Sequence, residues 1–222
     1  MANYLILGGG KFGRLALERL ARQDPAARFL VVDHDPAALA AMPAAGAGRT
    51  RVQQDVIAFL VDHLKAASPW DWLLPMVPVH VAYEWLRQGP LAGPPWEAAA
   101  VPERLMELAP VARRGARGEL YLSWARHRCP DDCAEPAVCP VTGESREQAL
   151  DAALAGTALA GYRLRVISSR QLAPGVGGYA PGRLLDLARE LDDLEGQVLI
   201  ATACRCHGVI QGLARRSGGR RV

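Results

Sequence analysis

Residues 3–20, "NYLILGGGKFGRLALERL", decide the fold class. "NYLIL" is a short apolar run of strand length. "KFGRLALERLAR" then places Phe12, Leu15, Ala16 and Leu20 at helical spacing. Between the two lies Gly8-x-Gly10-x-x-Gly13. A first glycine permits the tight turn, a second lets backbone approach a pyrophosphate, and a third allows close packing of helix on strand. The helix start offers unpaired N–H groups and a positive dipole end to phosphates.

Working outward, "RFLVVD" forms a second strand that ends in Asp33, twenty residues past Gly13. An aspartate there accepts both ribose hydroxyls of a dinucleotide and repels a 2′-phosphate, which favours NAD over NADP. Asp35 and Pro36 suit an N-cap and first helical residue. Further strands are expected over "TRVQQD" (50–55), "WDWLLPMV" (70–77), "GELYLSW" (118–124), "YRLRVISS" (162–169) and "QVLIATA" (197–203). Helices are expected over 56–67, 80–88, 145–156 with Ser145 as cap, and 183–194. The alternation predicts an α/β, Rossmann-like, doubly wound and largely parallel sheet with a cysteine-containing C-terminal extension. Residues 1–90 form its nucleotide-binding half. Residues 91–118 are a Pro/Gly-rich crossover with one short helix, 119–214 a second α/β half, and 215–222 a basic tail.

The N-terminal stretch, "YLILGGGKFGRLALERL…FLVVDHDPAAL", resembles the nucleotide-binding domain of TrkA-type potassium-uptake regulators, the TrkA-N or RCK family, over residues 1–75. The resemblance implies NAD bound by the glycine loop (Gly8, Gly10, Lys11, Phe12, Gly13) and by Asp33. It also implies that Asp55, at the end of the third strand, approaches the adenine. That family usually ends this strand in Gly-Asp, whereas this chain has Gln54-Asp55. The function implied is regulation of potassium transport, with a membrane transporter as partner.

All five cysteines fall in two groups, "CPDDCAEPAVCP" (129–140) and "ATACRCHG" (201–208). Cys129, Cys133, Cys139, Cys204 and Cys206, with His207 and His127 adjacent, exceed the four ligands of a tetrahedral site. Each group follows a predicted strand. If all strands lay in one parallel sheet, both groups would meet at the carboxyl edge that also carries the glycine loop. Zinc and an iron–sulfur cluster both accept thiolates. The spacing C-x3-C-x5-C matches no standard zinc knuckle or ferredoxin run; Cys129 and Cys139 each precede proline, as the last cysteine of a ferredoxin run does, while zinc is the commoner ion of structural sites. A redox pair of Cys204 with Cys206, or free thiols, are the alternatives. A structural disulfide is disfavoured by a reducing compartment.

His80, in "PVHVAYEW", is the candidate catalytic acid or base, since the loop after the fourth strand passes near the reactive end of a bound dinucleotide. The glycine-rich "APGVGGYAPG" (173–182) reads as a connecting loop in preference to an anion cradle. The net charge is +3, and four arginines in the last eight residues account for more than that excess. A nucleic-acid partner is therefore not expected. Nothing resembles a signal peptide, and no apolar run approaches the ~20 residues that span a bilayer, so the expected location is the cytoplasm. Beside a subunit that binds nucleotide only as a structural element, two functions follow. One is an NAD(H)-binding regulator or sensor with a metal or iron–sulfur site. The alternative is an NAD-dependent oxidoreductase whose cysteine site is an electron relay or structural clamp. A redox partner or a second copy of the chain are further expected partners.

Overall fold

The computed structural model describes residues 1–43, 48–192 and 194–216; of the basic tail, residues 217–222 lie outside the described residues. The N-terminal half is a parallel sheet in the order β3-β2-β1-β4. It is built from β1 (Asn3–Leu7), β2 (Arg28–Asp33), β3 (Arg49–Gln53) and β4 (Trp72–Pro75). Helices α1 (Lys11–Gln23), α2 (Pro36–Ala40), α3 (Val56–His63) and α4 (Val81–Gln88) connect and flank it. This is a doubly wound, Rossmann-like arrangement.

Strand β1 shows why. Leu5 and Leu7 pack into one core, Tyr4 and Ile6 into another on the opposite face. A strand apolar on both faces needs cover on both, which the crossover helices supply. Asp35 caps α2 by accepting from the Ala37 N–H at 2.8 Å, with Pro36 in the first turn. Asp55 caps α3 through Oδ1, accepting from the Ile57 and Ala58 N–H groups at 2.9 Å.

The C-terminal half builds its own sheet. It contains β5 (Trp96–Ala99), β6 (Val111–Arg114), β7 (Leu120–Ser123), β8 (Tyr162–Ser168), β11 (Gly196–Ala203) and β12 (His207–Arg215). The order is β6-β7-β12-β11-β8, with β5 beside β12 as well. Only β8 and β11 are parallel; the other pairs are antiparallel. Helix α6 (Gly182–Asp192) joins α3 and α4 in one core between the two sheets. Val198 and Ile200 of β11 face that layer, while Leu199, Ala201 and Ala203 face the outer core with α5 (Leu150–Ala155). β11 thus repeats the two-faced burial of β1.

Several expectations are corrected. The second cysteine group does not end a strand of the glycine-loop sheet; it is the turn of the β11–β12 hairpin, in a different sheet. The segment 91–118 carries β5, a 3-10 turn over Glu103–Leu108 and β6. The helix expected from 145 begins at Leu150, with Ala149 at its cap, because Ser145 is drawn into a bridge with Val138. The glycine-rich segment 173–182 closes a hairpin of β9 (Arg170–Ala173) and β10 (Val176–Gly178). Tyr179 then bridges to Leu73 on edge strand β4 by two backbone hydrogen bonds of 2.8 and 3.1 Å. Gly178 permits that approach, since a Cβ there would lie 2.8 Å from the Leu73 carbonyl oxygen.

Gly13 is the glycine on which the first turn depends. A Cβ at this position would collide with the carbonyl oxygen of Gly8. Gly13→Ala should therefore destabilise the fold by about 1–3 kcal/mol, the scale of overpacking. Urea unfolding of the variant against the native chain checks this.

Candidate functional site

The two cysteine groups meet because of strand register. β7 pairs with β12 antiparallel, placing Ser123 opposite His207. The chain leaving β7 therefore emerges beside the β11–β12 turn. The Trp124 N–H donates to the Cys206 carbonyl at 2.9 Å and fixes the exit. The loop that follows carries Cys129, Cys133 and Cys139 back over that turn. It rests on the β9–β10 hairpin, where the Gly175 N–H and the Gln171 side-chain amide both donate to the Cys133 carbonyl, at 2.8 and 2.7 Å.

The result is a cavity of about 380 Å³ lined by all five cysteines with His127, Glu135, Arg146 and His207. Within it, Glu135, Cys204 and His207 offer ligand atoms that all lie within 4.8 Å of one another. The Cys204 thiol donates to Glu135 Oε1 at 2.7 Å, and Cys129 Sγ lies 3.7 Å from His207 Nε2. Cys139 Sγ lies 3.7 Å from His127 Nε2. This mixture of thiol, imidazole and carboxylate is a donor set that zinc accepts, and the thiols alone suit zinc or an iron–sulfur cluster.

Glu135 was not foreseen, although a carboxylate inside the cysteine run was visible. Its backbone is left-handed, at φ 50°. Such a conformation costs of order 1–3 kcal/mol for a non-glycine residue and persists where surroundings hold it. Burial alone would raise its carboxyl, but the nearby His207, 3.9 Å away, and the hydrogen bond from Cys204 outweigh it and hold the group below the usual range. Burial, reinforced by the Glu135 charge, pushes the Cys204 thiol far up and the Cys206 thiol up to about 11. Burial also raises Cys129. Hydrogen bonding by Thr142 instead brings Cys139 down to about 7. Metal binding would expel the thiol protons, so affinity falls as pH falls.

The glycine loop adjoins this cavity. Phe12, 47% exposed, forms part of its wall. Lys11 Nζ pairs with the Asp131 carboxylate, and Arg19 of α1 donates to the Asp131 and Pro174 carbonyls. Gly8 sits at φ 113°, where a Cβ would lie 2.7 Å from the Met76 carbonyl oxygen. Gly10, at the N-cap of α1, has open space where its Cβ would be, as a phosphate cradle requires. Asp33 is 8% exposed. Its Oδ2 accepts from the Gly9 N–H at 2.6 Å and its Oδ1 from the Asp35 N–H at 2.9 Å. His34 Nδ1 also lies 3.4 Å from Oδ1. Asp55 lies farther along the same edge, with Oδ1 engaged in its cap.

Three spaces run in series. A cleft of about 700 Å³ at the carboxyl edge of the parallel sheet is lined by His34, Asp55, Val77, Pro78, Val79 and Arg87, among others. A chamber of about 430 Å³ shares Val77, Pro78 and Val79 with it. That chamber shares Ser169, Cys204 and His207 with the cysteine cavity. His80 lines the chamber, only 3% exposed, with Nε2 3.1 Å from Thr202 Oγ1 of β11. It stands at the N-cap of α4 without a side-chain capping bond.

A family model described as "Uncharacterized protein, C-terminal domain" (AF_1314_C) matches residues 78–216. Over 231 residues the chain is 28% identical to an "Uncharacterized protein" of Archaeoglobus fulgidus, covering 95% of this chain and 99% of that one. No solved structure matches.

Two outcomes follow from this geometry. Cys133→Ser and Cys206→Ser should each lower bound metal and the melting temperature, and the double variant should lose little more, because either change opens the same site. Elemental analysis with thermal melts tests this. Burial lowers His80 to about 4, below the ~6.5 of an unfolded chain. Between those values the unfolded state binds the extra proton, so stability is lost as pH falls from about 6.5 to 4, by roughly 3 kcal/mol. His80→Gln should remove that part of the pH dependence in urea titrations.

Proposed function

The chain belongs to the AF_1314_C family, whose matched segment contributes every cysteine of the cavity, and we propose that it is an NAD(H)-binding regulator or sensor whose cysteine-rich metal or iron–sulfur centre reports redox state. One observation carries this reading. The first turn of the glycine-loop helix is a wall of the cysteine cavity, through Phe12, and is tied to the cysteine loop through Lys11 and Asp131. A dinucleotide held at Gly8, Gly10, Gly13 and Asp33 would change the surroundings of the thiols, and occupancy of the thiols would change the loop that meets the phosphates.

In this reading Asp33 takes the ribose hydroxyls, Gly10 gives the pyrophosphate room, and Lys11 supplies positive charge beside it. When bound, the metal or cluster supplies a redox-sensitive or structural anchor. The likeness of residues 1–75 to TrkA-type regulators extends the proposal to a membrane transporter as the regulated partner, in the cytoplasm. Among the described residues no helix is long and apolar enough to cross a membrane.

The oxidoreductase reading is favoured by a separate observation, the chamber between the cleft at the carboxyl edge of the parallel sheet and the cysteine cavity. His80 on its wall would then act on a substrate beside the dinucleotide's reactive end, and His80→Ala would lower turnover with NAD affinity nearly intact.

Calorimetry tests the shared premise. NAD(H) should bind more tightly than NADP(H). Asp33→Ala should weaken NAD by about 1–3 kcal/mol, the scale of lost charged hydrogen bonds. Equal affinity of the native chain for both dinucleotides would remove the glycine loop and Asp33 as the nucleotide site.

A further inference from the structure

Arg146 is the one residue of the cysteine cavity whose chemistry is left over. Its side chain is 11% exposed, and Nη1 pairs with Glu144 Oε2 at 3.0 Å. Nε and Nη2 are buried and have no hydrogen-bond partner. A guanidinium carries five N–H donors in a rigid fork, and buried donors of a charged group left unpaired are costly. The guanidinium lines the same cavity as the five thiols. The fold therefore holds a cation with free donors against a wall of sulfur, and the missing element is a negatively charged acceptor inside the cavity.

Volume says what kind. The cavity holds about 380 Å³, whereas one water occupies ≈ 30 Å³ of liquid and a bare divalent ion less. One zinc ion would draw four ligands to bonds of ~2.3 Å and leave most of this space, one thiol and both Arg146 nitrogens unused. A cluster with inorganic sulfides fills volume and offers sulfur acceptors at once, and hydrogen bonds to its sulfurs are an established determinant of its potential.

We propose that the cavity holds an iron–sulfur cluster ligated by Cys129, Cys133, Cys139 and Cys206, with Arg146 as the counter-cation that donates to its sulfurs. This deepens the reading of the cavity as a metal centre and rests on it. The four ligands are chosen by position. Cys129, Cys133, Cys139 and Cys206 all line the cavity, the first three on one loop whose Cys133 carbonyl is pinned by Gly175 and Gln171. Cys204 instead donates its thiol proton to Glu135 and stands where the cavity meets the chamber, lining both. Ligation exchanges four S–H bonds for four Fe–S bonds, with four protons released to solvent. Four thiolates around an oxidised core of charge +2 leave a net −2, which Arg146 partly offsets. Arg146 is a tuning residue here and bonds to no iron.

The test uses the full chain purified without oxygen. Iron and acid-labile sulfide should be present together, with absorption near ~400 nm. Cys133→Ser and Cys206→Ser should lose both, and Cys204→Ser should keep both. Arg146→Gln should keep iron and sulfide while its reduction potential moves negative, and Arg146→Lys should recover part of the shift. Zinc without iron or sulfide would overturn the proposal. So would metal lost in Cys204→Ser but kept in Cys133→Ser, since that pattern belongs to one ion at Glu135, Cys204 and His207. An unchanged potential in Arg146→Gln, at full iron content, would remove Arg146 from its role. NAD binding measured on the same preparations separates the two readings: a chain with a cluster and no affinity for NAD would sink the nucleotide site alone.

Discussion

The site depends on the antiparallel register that sets Ser123 opposite His207. Sequence separates the two cysteine groups by more than sixty residues, and no local preference could join them. The ladder between β7 and β12 does so. A slip of one residue would move every side chain of β12 to the other face, taking Ile210 out of the core with Leu120 and Leu122. Hydrophobic burial therefore holds the register, and the register holds the thiols. Chemistry at the turn is stabilised by packing some distance away from it.

The two sheets share a layer of helices. α3, α4 and α6 pack on Leu5, Leu7 and Leu73 of one sheet and on Val198, Ile200 and Leu213 of the other. Neither sheet covers that face without them. At ~25 cal/mol per Å² of apolar surface, this common layer couples the halves into one cooperative core. It also fixes the relation between the cleft at the carboxyl edge of the first sheet and the cysteine turn, which belongs to the second. The Tyr179–Leu73 bridge adds a second tie at the edge of the parallel sheet.

The N-terminal half was legible because its signals are local. The apolar run, the glycine spacing and an aspartate ending the next strand sit within thirty-odd residues, and Asp35 and Asp55 cap the helices they precede. The C-terminal half was less so. β12 has glycines at 208 and 212 and a buried Gln211, so it lacks a strand's usual pattern. Gly212 is there because β5 approaches closely: a Cβ would lie 2.6 Å from the Ala99 carbonyl oxygen. That requirement is tertiary and leaves no mark in the sequence. The grouping of the thiols was readable from their clustering, but the reason given for it, a common sheet edge, was not the one the chain uses. Glu135 and Arg146 owe their place to loop geometry, which periodicity does not report.

Both side chains of the Lys11–Asp131 pair are partly open to solvent, and surface pairs are worth ~0–1 kcal/mol. It is a weak tie at a junction where every neighbouring tie is firmer: Arg19 donates to two backbone carbonyls nearby. A lysine so lightly held can be redirected at little cost by any stronger anion at the start of α1. The Asp131 carboxylate would then be freed, while Arg19 still holds its backbone carbonyl. Thermodynamic reciprocity makes the effect two-way: whatever orders that loop from the sulfur side must alter the anion affinity of α1 by the same factor. A surface ion pair that adds little to stability is thus the side-chain link between the start of α1 and the cysteine loop.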